Sequence, residues 1–399
     1  FPAMIGGAAL LADGILTPAV TVTTAIEGLR SIPWVYKVLG NDQDKIVVIT
    51  LVIIAALFLM QKAGTSSIGR AFGPVMTLWF LFLAAAGCFH IMGDPGILRA
   101  LNPLWAVKIL VSPDNRMGLM ILGSVFLATT GAEALYSDMG HVGRQNIYAS
   151  WPFVKMCLIL NYLGQGAWLL KNRSSESLGA IPDMNPFFEM LPEEIRPLGV
   201  VLGTMAAVIA SQALVTGSFT LVSEASRLDL MPHMQIVYPS MIKGQIFIPL
   251  VNLVLWISCS VLVLYFRTSA HMEAAYGLAI TLTMLMTTLL LFVYLNRIRK
   301  KYRSSWLFLL FFGGLEGTFF LSSLSKFKRG GYVALFIAAV LFGIMVVWYR
   351  GTAIENSQAV YLKVRDFVGQ LGRLRADTGI PIQTDNLVYI TKETQVEEL

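Results

Sequence analysis

The chain has 399 residues, of which 56% are apolar and only 14% are charged, and its formal net charge is +6. A soluble domain usually carries about 25% charged residues, so this composition excludes an ordinary soluble protein. The excess of Lys and Arg is expected at the flanks of membrane helices and not in a nucleic-acid-binding patch. We therefore predict an all-α membrane protein.

Ten segments are apolar enough to be considered as membrane-spanning helices, which need about 20 residues each. Glycine and alanine pairs within several of them favour close helix packing. In chain order the segments lie near residues 4–29, 46–60, 71–93, 117–136, 151–170, 198–222, 247–266, 273–295, 306–324 and 331–349.

Topology follows from the distribution of Lys and Arg. The basic loop at 297–303 is the strongest cluster in a short loop and is expected in the cytoplasm. With ten spans, both ends of this chain are then cytoplasmic. Lys326, Lys328, Arg329 and the acidic loop 171–197 fall outside on this scheme, which does not support it well.

A polar tail begins near residue 351. Residues 359–364 and 387–391 have the pattern of short strands, and Phe367, Leu371 and Leu374 recur between them at helical spacing. We predict two domains: a transmembrane domain over 1–350 and a small α/β cytosolic domain over 351–399. About 45 residues are too few for a stable core, so the second is expected to dock on another surface.

Asp13 is the first candidate functional residue. A carboxylate in the middle of a spanning helix costs roughly 2.5–3.5 kcal/mol on insertion scales and is retained where it faces a polar interior. Gly14 and Pro18 weaken the helical hydrogen bonds beside it, and Thr17 adds a hydroxyl. We expect a broken helix with carbonyl oxygens for a cation; the alternative is a proline kink with a satisfied aspartate.

Glu133 is the second candidate. Thr129, Thr130, Gly131, Glu133 and Tyr136 follow one another closely at the end of the fourth segment, which predicts a second break. The alternative is a glutamate at the membrane interface, because a polar loop follows.

Glu316 is the third candidate and lies among three glycines in an aromatic and aliphatic segment. It is either a protected functional charge or a hydrogen-bonding residue that holds helices together. Together the three carboxylates predict transport of a small cation.

Weaker candidates are polar residues that membrane helices use more often for packing than for binding. Glu27 and Glu224 lie near helix ends, and Lys155 is placed to reach the interface. The others are Asn161, Gln165, Ser211, Gln212, Thr216, Ser218, Tyr276, Thr281 and Thr283.

Enzymatic chemistry is not indicated. Cys88, Cys157 and Cys259 are widely separated in apolar runs, and the four histidines show no ligand spacing. No nucleophile and base pair and no phosphate loop is recognisable. We predict no enzyme activity, no cofactor and no resident metal.

Several stretches resemble the KUP family of potassium uptake permeases. The matching residues follow the family order over about 5–350 and include DGILTPAV at 13–20, TGAEALYSDMGHVG at 130–143, LNYLGQG at 160–166, VIASQA at 208–213, GQIFIP at 244–249 and AAYGLA at 274–279. The tail resembles the family's more variable cytosolic domain only loosely.

The resemblance implies a fold and an activity. It implies a twelve-helix transporter of the amino-acid–polyamine–organocation (LeuT-like) type with inverted repeats, and uptake of K⁺ driven by entry of H⁺. The family's acidic positions in helices three, six and eleven look like Asp13, Glu133 and Glu316. Tyr276 matches a region that lines the ion path, with Thr130 on the opposite broken helix.

One departure from the family concerns its first two helices. The signature Gly-Asp-x-Gly-Thr-Ser-Pro-Leu-Tyr belongs to the first of them and does not occur in this sequence. We expect this chain to lack both helices and a further cation-binding carboxylate, and hence not to transport by itself.

Two alternatives remain at this stage: an amino-acid or polyamine transporter of the same fold, and a potassium sensor that does not transport. In the tail, Arg350, Arg365, Arg373 and Arg375 are solvated charges or a contact for an anionic regulator such as a cyclic dinucleotide. The resemblance also implies that the cytosolic domain can mediate homodimerisation.

Overall fold

The computed structural model describes most of the apolar part of the chain and little of the tail. The described residues are 1–40, 42–63, 66–112, 115, 118–131, 143–172, 185–238, 246–358, 369–370, 372–373 and 376; of 63, 66–70 and 129 only the backbone is described. The chain divides into two units, Phe1–Val346 and Val347–Leu399.

The described residues are helical throughout, apart from turns and one isolated bridge between Val237 and Phe247. The α-helices of seven or more residues are α1 (Pro2–Glu27), α2 (Pro33–Leu39), α3 (Gln43–Met60), α4 (Ser66–Gly93), α5 (Pro103–Val111), α6 (Arg144–Lys171), α7 (Arg196–Arg227), α8 (Pro249–Phe266), α9 (Ser269–Val293), α10 (Tyr302–Phe308), α11 (Gly314–Leu324) and α12 (Gly331–Gln358).

Shorter helical pieces connect or interrupt these helices. One-turn α-helices are Leu122–Val125 and Pro186–Glu189, and π-helical turns are Tyr294–Ile298 and Leu309–Gly313. The 3₁₀ turns are Gly28–Ser31, Gln61–Ala63, Pro95–Leu101, Gly118–Ile121, Phe126–Thr129 and Phe327–Arg329.

Nine helical segments among the described residues are long and apolar enough to cross a membrane. They correspond to nine of the ten predicted segments, and the all-helical membrane fold is therefore confirmed for this part of the chain. The fourth segment, predicted near 117–136 with a break at its end, is not a regular membrane helix over 118–131; it is irregular from residue 118 onward. There the backbone forms a 3₁₀ turn, one α-helical turn and a second 3₁₀ turn, and Gly131 has a φ of 103°.

Helix α1 is the most deeply buried of the nine and runs between α9 and α7. Small residues permit its close contacts: a Cβ added at Gly6 would lie 3.0 Å from Met286 Cβ, and one at Gly14 would lie 2.2 Å from Ser218 Oγ. The main hydrophobic core forms around this helix from side chains of α1, α3, α7, α8 and α9.

The expected break in α1 is not present. The helix is continuous from Pro2 to Glu27 although Pro18 has no N–H to donate to the Gly14 carbonyl. Dense packing on both sides of α1 explains this, because tertiary contacts commonly override the low helical propensity of single Gly and Pro residues. Gly14 thus serves the close approach of α7 and not a break.

Helices α4 and α6 form a second tight pair. A Cβ added at Gly87 would lie 2.3 Å from the Leu160 carbonyl oxygen, and one at Gly164 would lie 2.4 Å from Gly87 Cα. Two glycines therefore set the distance between these backbones.

The predicted tail lies largely outside the described residues. This holds for the strands at 359–364 and 387–391, for Phe367, Leu371 and Leu374 between them, and for Arg365 and Arg375.

Candidate functional site

Asp13 lies fully buried in the middle of α1. The hydroxyl of Thr17, one turn later, donates a hydrogen bond of 2.9 Å to Asp13 Oδ1, and the hydroxyl of Thr21 donates to the Thr17 carbonyl at 2.8 Å. One face of α1 thus carries a carboxylate and two hydroxyls inside an apolar core, where each polar group needs partners.

Helix α7 lies antiparallel to this face. The hydroxyls of Thr21 and Ser211 are 3.1 Å apart, and Ser218 lies against Gly14. Ser211 and Ser218 were recognised in the sequence only as parts of a polar stripe; the structure packs both against α1, the helix that carries Asp13. Asp13 is therefore level with Ser218 on α7.

Tyr276 of α9 and Thr130, which follows the 3₁₀ turn Phe126–Thr129, are in contact. The Tyr276 hydroxyl of α9 donates a hydrogen bond of 3.3 Å to Thr130 Oγ1, and that Thr130 hydroxyl donates to the Leu127 carbonyl at 2.8 Å. Thr130 directly follows the last 3₁₀ turn, and Gly131 leaves the helical region. The pair predicted on opposite sides of an ion path is in contact.

The packing register of α1 against α9 shows how the Asp13–Thr17 pair lies relative to the Thr130–Tyr276 pair. Gly6 faces Met286, and the Thr23 hydroxyl lies 3.9 Å from Met272 Sδ, so the helices are antiparallel. Between these two contacts, Asp13 and Thr17 are level with residues 277–280 of α9. Four predicted residues, Asp13, Thr17, Thr130 and Tyr276, therefore lie in one layer of the helix bundle, which we call the central layer.

Glu316 lies outside the central layer. It is buried on α11 beside the Thr288 hydroxyl of α9, and its Oε2 has no hydrogen-bond partner among the described residues. Thr288 is eight residues beyond Ile280, which is about 12 Å along the axis of a helix. The described structure does not bring Asp13 and Glu316 together.

Glu133 falls among residues 132–142, which are outside the described part of the chain. Its place relative to the central layer is therefore an expectation from sequence.

Two polar contacts were missed or undervalued in the sequence. Glu27 is buried at the far end of α1 and accepts hydrogen bonds from Ser269. Gln61, just after the apolar run of α3, accepts a hydrogen bond of 3.3 Å from Gln212 of α7. A polar residue directly next to an apolar run was the available signal in both cases.

Lys155 and Asn161 follow the simpler interpretations. Lys155 is exposed with its Nζ 5.6 Å from the Trp151 ring, as expected of a residue that reaches the interface. Asn161 is buried where α6 crosses α4.

Comparison with known proteins assigns the chain to a family. Residues 1–353 match the family described as K+ potassium transporter integral membrane domain. The chain is 56% identical over 392 residues to a probable potassium transport system protein Kup of Enterococcus faecalis, covering 98% of this chain and 58% of that protein.

Two further proteins of the same printed name are similar to this chain. One from Latilactobacillus sakei is 53% identical, with 98% of this chain and 58% of that protein covered. One from Clostridium perfringens is 52% identical, with 100% and 60% covered. The chain thus spans about three fifths of the length of the curated relatives that it matches.

Proposed function

The chain belongs to the KUP family of potassium transporters, and on that premise we propose that the whole protein takes up K⁺ together with H⁺ by alternating access. The observation that carries the proposal is the central layer, in which a buried carboxylate and three hydroxyls lie at one level of the bundle, and one of these hydroxyls, that of Thr130, directly follows the interrupted segment. Oxygen atoms of this kind replace the hydration shell of an alkali cation. The description of the matched family names potassium, which disfavours the amino-acid or polyamine alternative.

We propose Asp13, Thr17, Thr130 and Tyr276 as residues of the K⁺ path. Asp13 supplies the negative charge, and the hydroxyls supply neutral oxygen ligands whose hydrogens turn away when the cation arrives. Glu133, which follows the interruption, is proposed to join this group on the strength of the family resemblance alone.

Glu316 is proposed as a proton-coupling residue, separate from the cation ligands. It lies about 12 Å along the bundle from the level of Asp13. A carboxyl group buried among membrane helices is typical of proton relays in pumps and transporters, and Glu316 Oε2 has no hydrogen-bond partner in the part of the chain that the structure describes. Such a separation allows one ion to be bound in the central layer while the proton occupies a different group.

The fold and location proposed for the whole protein are a LeuT-like inverted-repeat bundle in the cell membrane. The basic segment 297–303 lies on the cytoplasmic side in this scheme, as do both ends of the chain.

The test is Rb⁺ flux into proteoliposomes that contain the full-length protein. Uptake that rises when the outside is made acidic supports coupled transport. Uptake that is indifferent to the proton gradient contradicts the coupling but not the transport. Binding of Rb⁺ without flux identifies the potassium sensor instead.

A further inference from the structure

The interrupted segment, Gly118–Thr129, is weakly held by its own backbone. Two 3₁₀ turns flank a single α-helical turn, Leu122–Val125. Hydrogen bonds in 3₁₀ turns have poor geometry, and one α-turn gains little cooperativity. The position of Thr130, at the end of this segment, must therefore depend on contacts with other helices.

Helix α11 provides those contacts through one hydroxyl. Ser322 Oγ accepts a hydrogen bond of 2.8 Å from the Gly123 N–H and donates one of 2.6 Å to the Met120 carbonyl. A Cβ added at Gly123 would lie 2.5 Å from this oxygen. Ser322 thus hydrogen-bonds two backbone groups of the irregular segment and ties it to α11.

Lys326, four residues after Ser322, makes a second contact with the interrupted segment. Lys326 Nζ donates hydrogen bonds of 3.0 Å to the Gly123 carbonyl and 2.7 Å to Ser124 Oγ. Burial lowers the pKa of Lys326, and the neighbouring Glu273 opposes this shift. An ammonium group in such a place is retained because charge-assisted hydrogen bonds offset its desolvation.

A ring contact lies on the same face of α11. Phe319 stacks on Phe126 with ring centroids 5.6 Å apart, and Phe126 also lies beneath Gly277, the neighbour of Tyr276. Phe319 and Ser322 lie three residues apart on α11, and Lys326 lies in the turn that directly follows this helix. Together the three side chains hold the interrupted segment against α9.

We propose that Ser322 and Lys326 are positioning residues for ion movement, which hold the interrupted segment so that the Thr130 hydroxyl stays beside Tyr276. The inference rests on the proposed function, because it gives Thr130 a part in transport. Neither residue is expected to touch K⁺ itself.

The experiment combines transport with an independent measure of the segment's position. In the full-length protein, Lys326→Met removes both hydrogen bonds, Lys326→Arg retains a cationic donor, and Lys328→Met is the control because Lys328 is exposed two residues away. Ser322→Ala is paired with Ser323→Ala, since the buried Ser323 hydroxyl has no partner among the described residues.

We expect Lys326→Met and Ser322→Ala to lower Vmax/KM for Rb⁺ about tenfold, because each removes two hydrogen bonds and a tenfold effect corresponds to about 1.4 kcal/mol. Lys326→Arg recovers part of the loss, and both controls match the parent. Combined with Thr130→Val, Lys326→Met adds little further loss, because it acts through Thr130.

The independent measure is thiol labelling after Thr130→Cys, with the partly exposed Cys88 as internal reference. Lys326→Met should change the labelling rate at position 130 several-fold. An unchanged rate, or full additivity with Thr130→Val, overturns the positioning role. If Thr130→Val itself leaves Rb⁺ uptake intact, the proposed ion path fails instead, and the two failures are distinguished.

Discussion

Glu27 of α1 and Ser269 of α9 join the two most closely packed helices by a carboxylate cap. Glu27 Oε1 accepts from the Ser269 N–H at 3.1 Å, and Oε2 accepts from the Ser269 hydroxyl at 2.5 Å. The residue before α9, Thr268, makes no cap and instead hydrogen-bonds His271 Nδ1. A side chain from another helix therefore satisfies the N-terminus of α9, where negative charge is favourable.

Removing this cap should destabilise the bundle. Glu27→Ala leaves the Ser269 donors buried and unpaired, so we expect the free energy of unfolding to fall by about 2 kcal/mol. Glu27→Gln keeps one acceptor and should cost less than half as much. Thermal unfolding in detergent measures both, with Glu224→Ala as control, since Glu224 is exposed and forms a surface ion pair with Arg227. Equal effects of Glu27→Ala and Glu224→Ala would contradict the capping role.

Asp13→Asn should abolish uptake in cells that depend on this protein for K⁺. The amide has nearly the same shape but no charge, and a buried carboxylate supplies the attraction that offsets the dehydration of the cation. The matched control is Glu224→Gln, which removes a carboxylate from the exposed end of α7. Normal Rb⁺ uptake by Asp13→Asn, at equal protein in the membrane, would remove this residue from the ion path.

Tyr276→Phe should raise the KM for Rb⁺ about fivefold, which corresponds to one neutral hydrogen bond of about 1 kcal/mol. It deletes only the hydroxyl that reaches Thr130. Tyr302→Phe deletes an exposed hydroxyl and should change nothing. Thr130→Val should match Tyr276→Phe, and the double variant should be less than additive; simple additivity would show that the two hydroxyls act separately.

Gly87→Ala should reduce stability by about 1–3 kcal/mol through overpacking, because its methyl group meets the backbone of Leu160. Gly73 belongs to the same helix and has open space around it, so Gly73→Ala is expected to be neutral or slightly stabilising. The difference in melting temperature between the two variants tests whether the glycine crossing sets the distance between α4 and α6. Identical melting temperatures would exclude it.

The partly buried carboxyl group of Glu189 should make the stability of the protein depend on pH. Burial raises the pKa of this carboxyl, and its partner Arg196, 3.2 Å away, only partly opposes the shift. The folded protein therefore binds a proton at Glu189 more tightly than the unfolded chain does. The stability that this residue contributes is complete below the unfolded pKa and is lost as pH rises through the folded one.

Glu189→Gln should remove this part of the pH dependence. Melting temperatures of the variant and the parent should diverge between acidic and neutral pH, and the parent should lose more stability than the variant as the pH rises. Glu224→Gln, which changes an exposed carboxyl on α7, is the control. A steeper loss in the variant would reverse the sign and refute the assignment.

Much of the fold could be predicted from the sequence, because runs of apolar residues determine membrane helices directly. The exceptions have physical causes. Gly14 and Pro18 weaken a helix locally, yet packing against α7 and α9 keeps α1 continuous. The segment 118–131 is equally apolar, yet it is interrupted, and it is contacted by Ser322 and Lys326, which are about 200 residues away in the chain.

The candidate site was predictable in its parts but not in its arrangement. Buried carboxylates are conspicuous in apolar runs, and Asp13 and Glu316 were identified on that basis. Their separation depends on the register between α1, α9 and α11, which sequence spacing does not contain. Thr288 was missed because a single polar residue in a membrane helix has no distinguishing pattern.

The separation of Asp13 and Glu316 along the axis of the bundle affects how each responds to the membrane voltage. About 12 Å is roughly two fifths of a hydrocarbon core about 30 Å thick, so the two groups sense different fractions of the membrane voltage. One charge moved across the whole membrane corresponds to about 2.3 kcal/mol per 100 mV, and two fifths of that is about 0.9 kcal/mol. Occupancy of the two carboxyl groups should then respond to the same 100 mV step by factors that differ about fivefold. The membrane potential of the cell therefore influences the order in which proton and potassium bind.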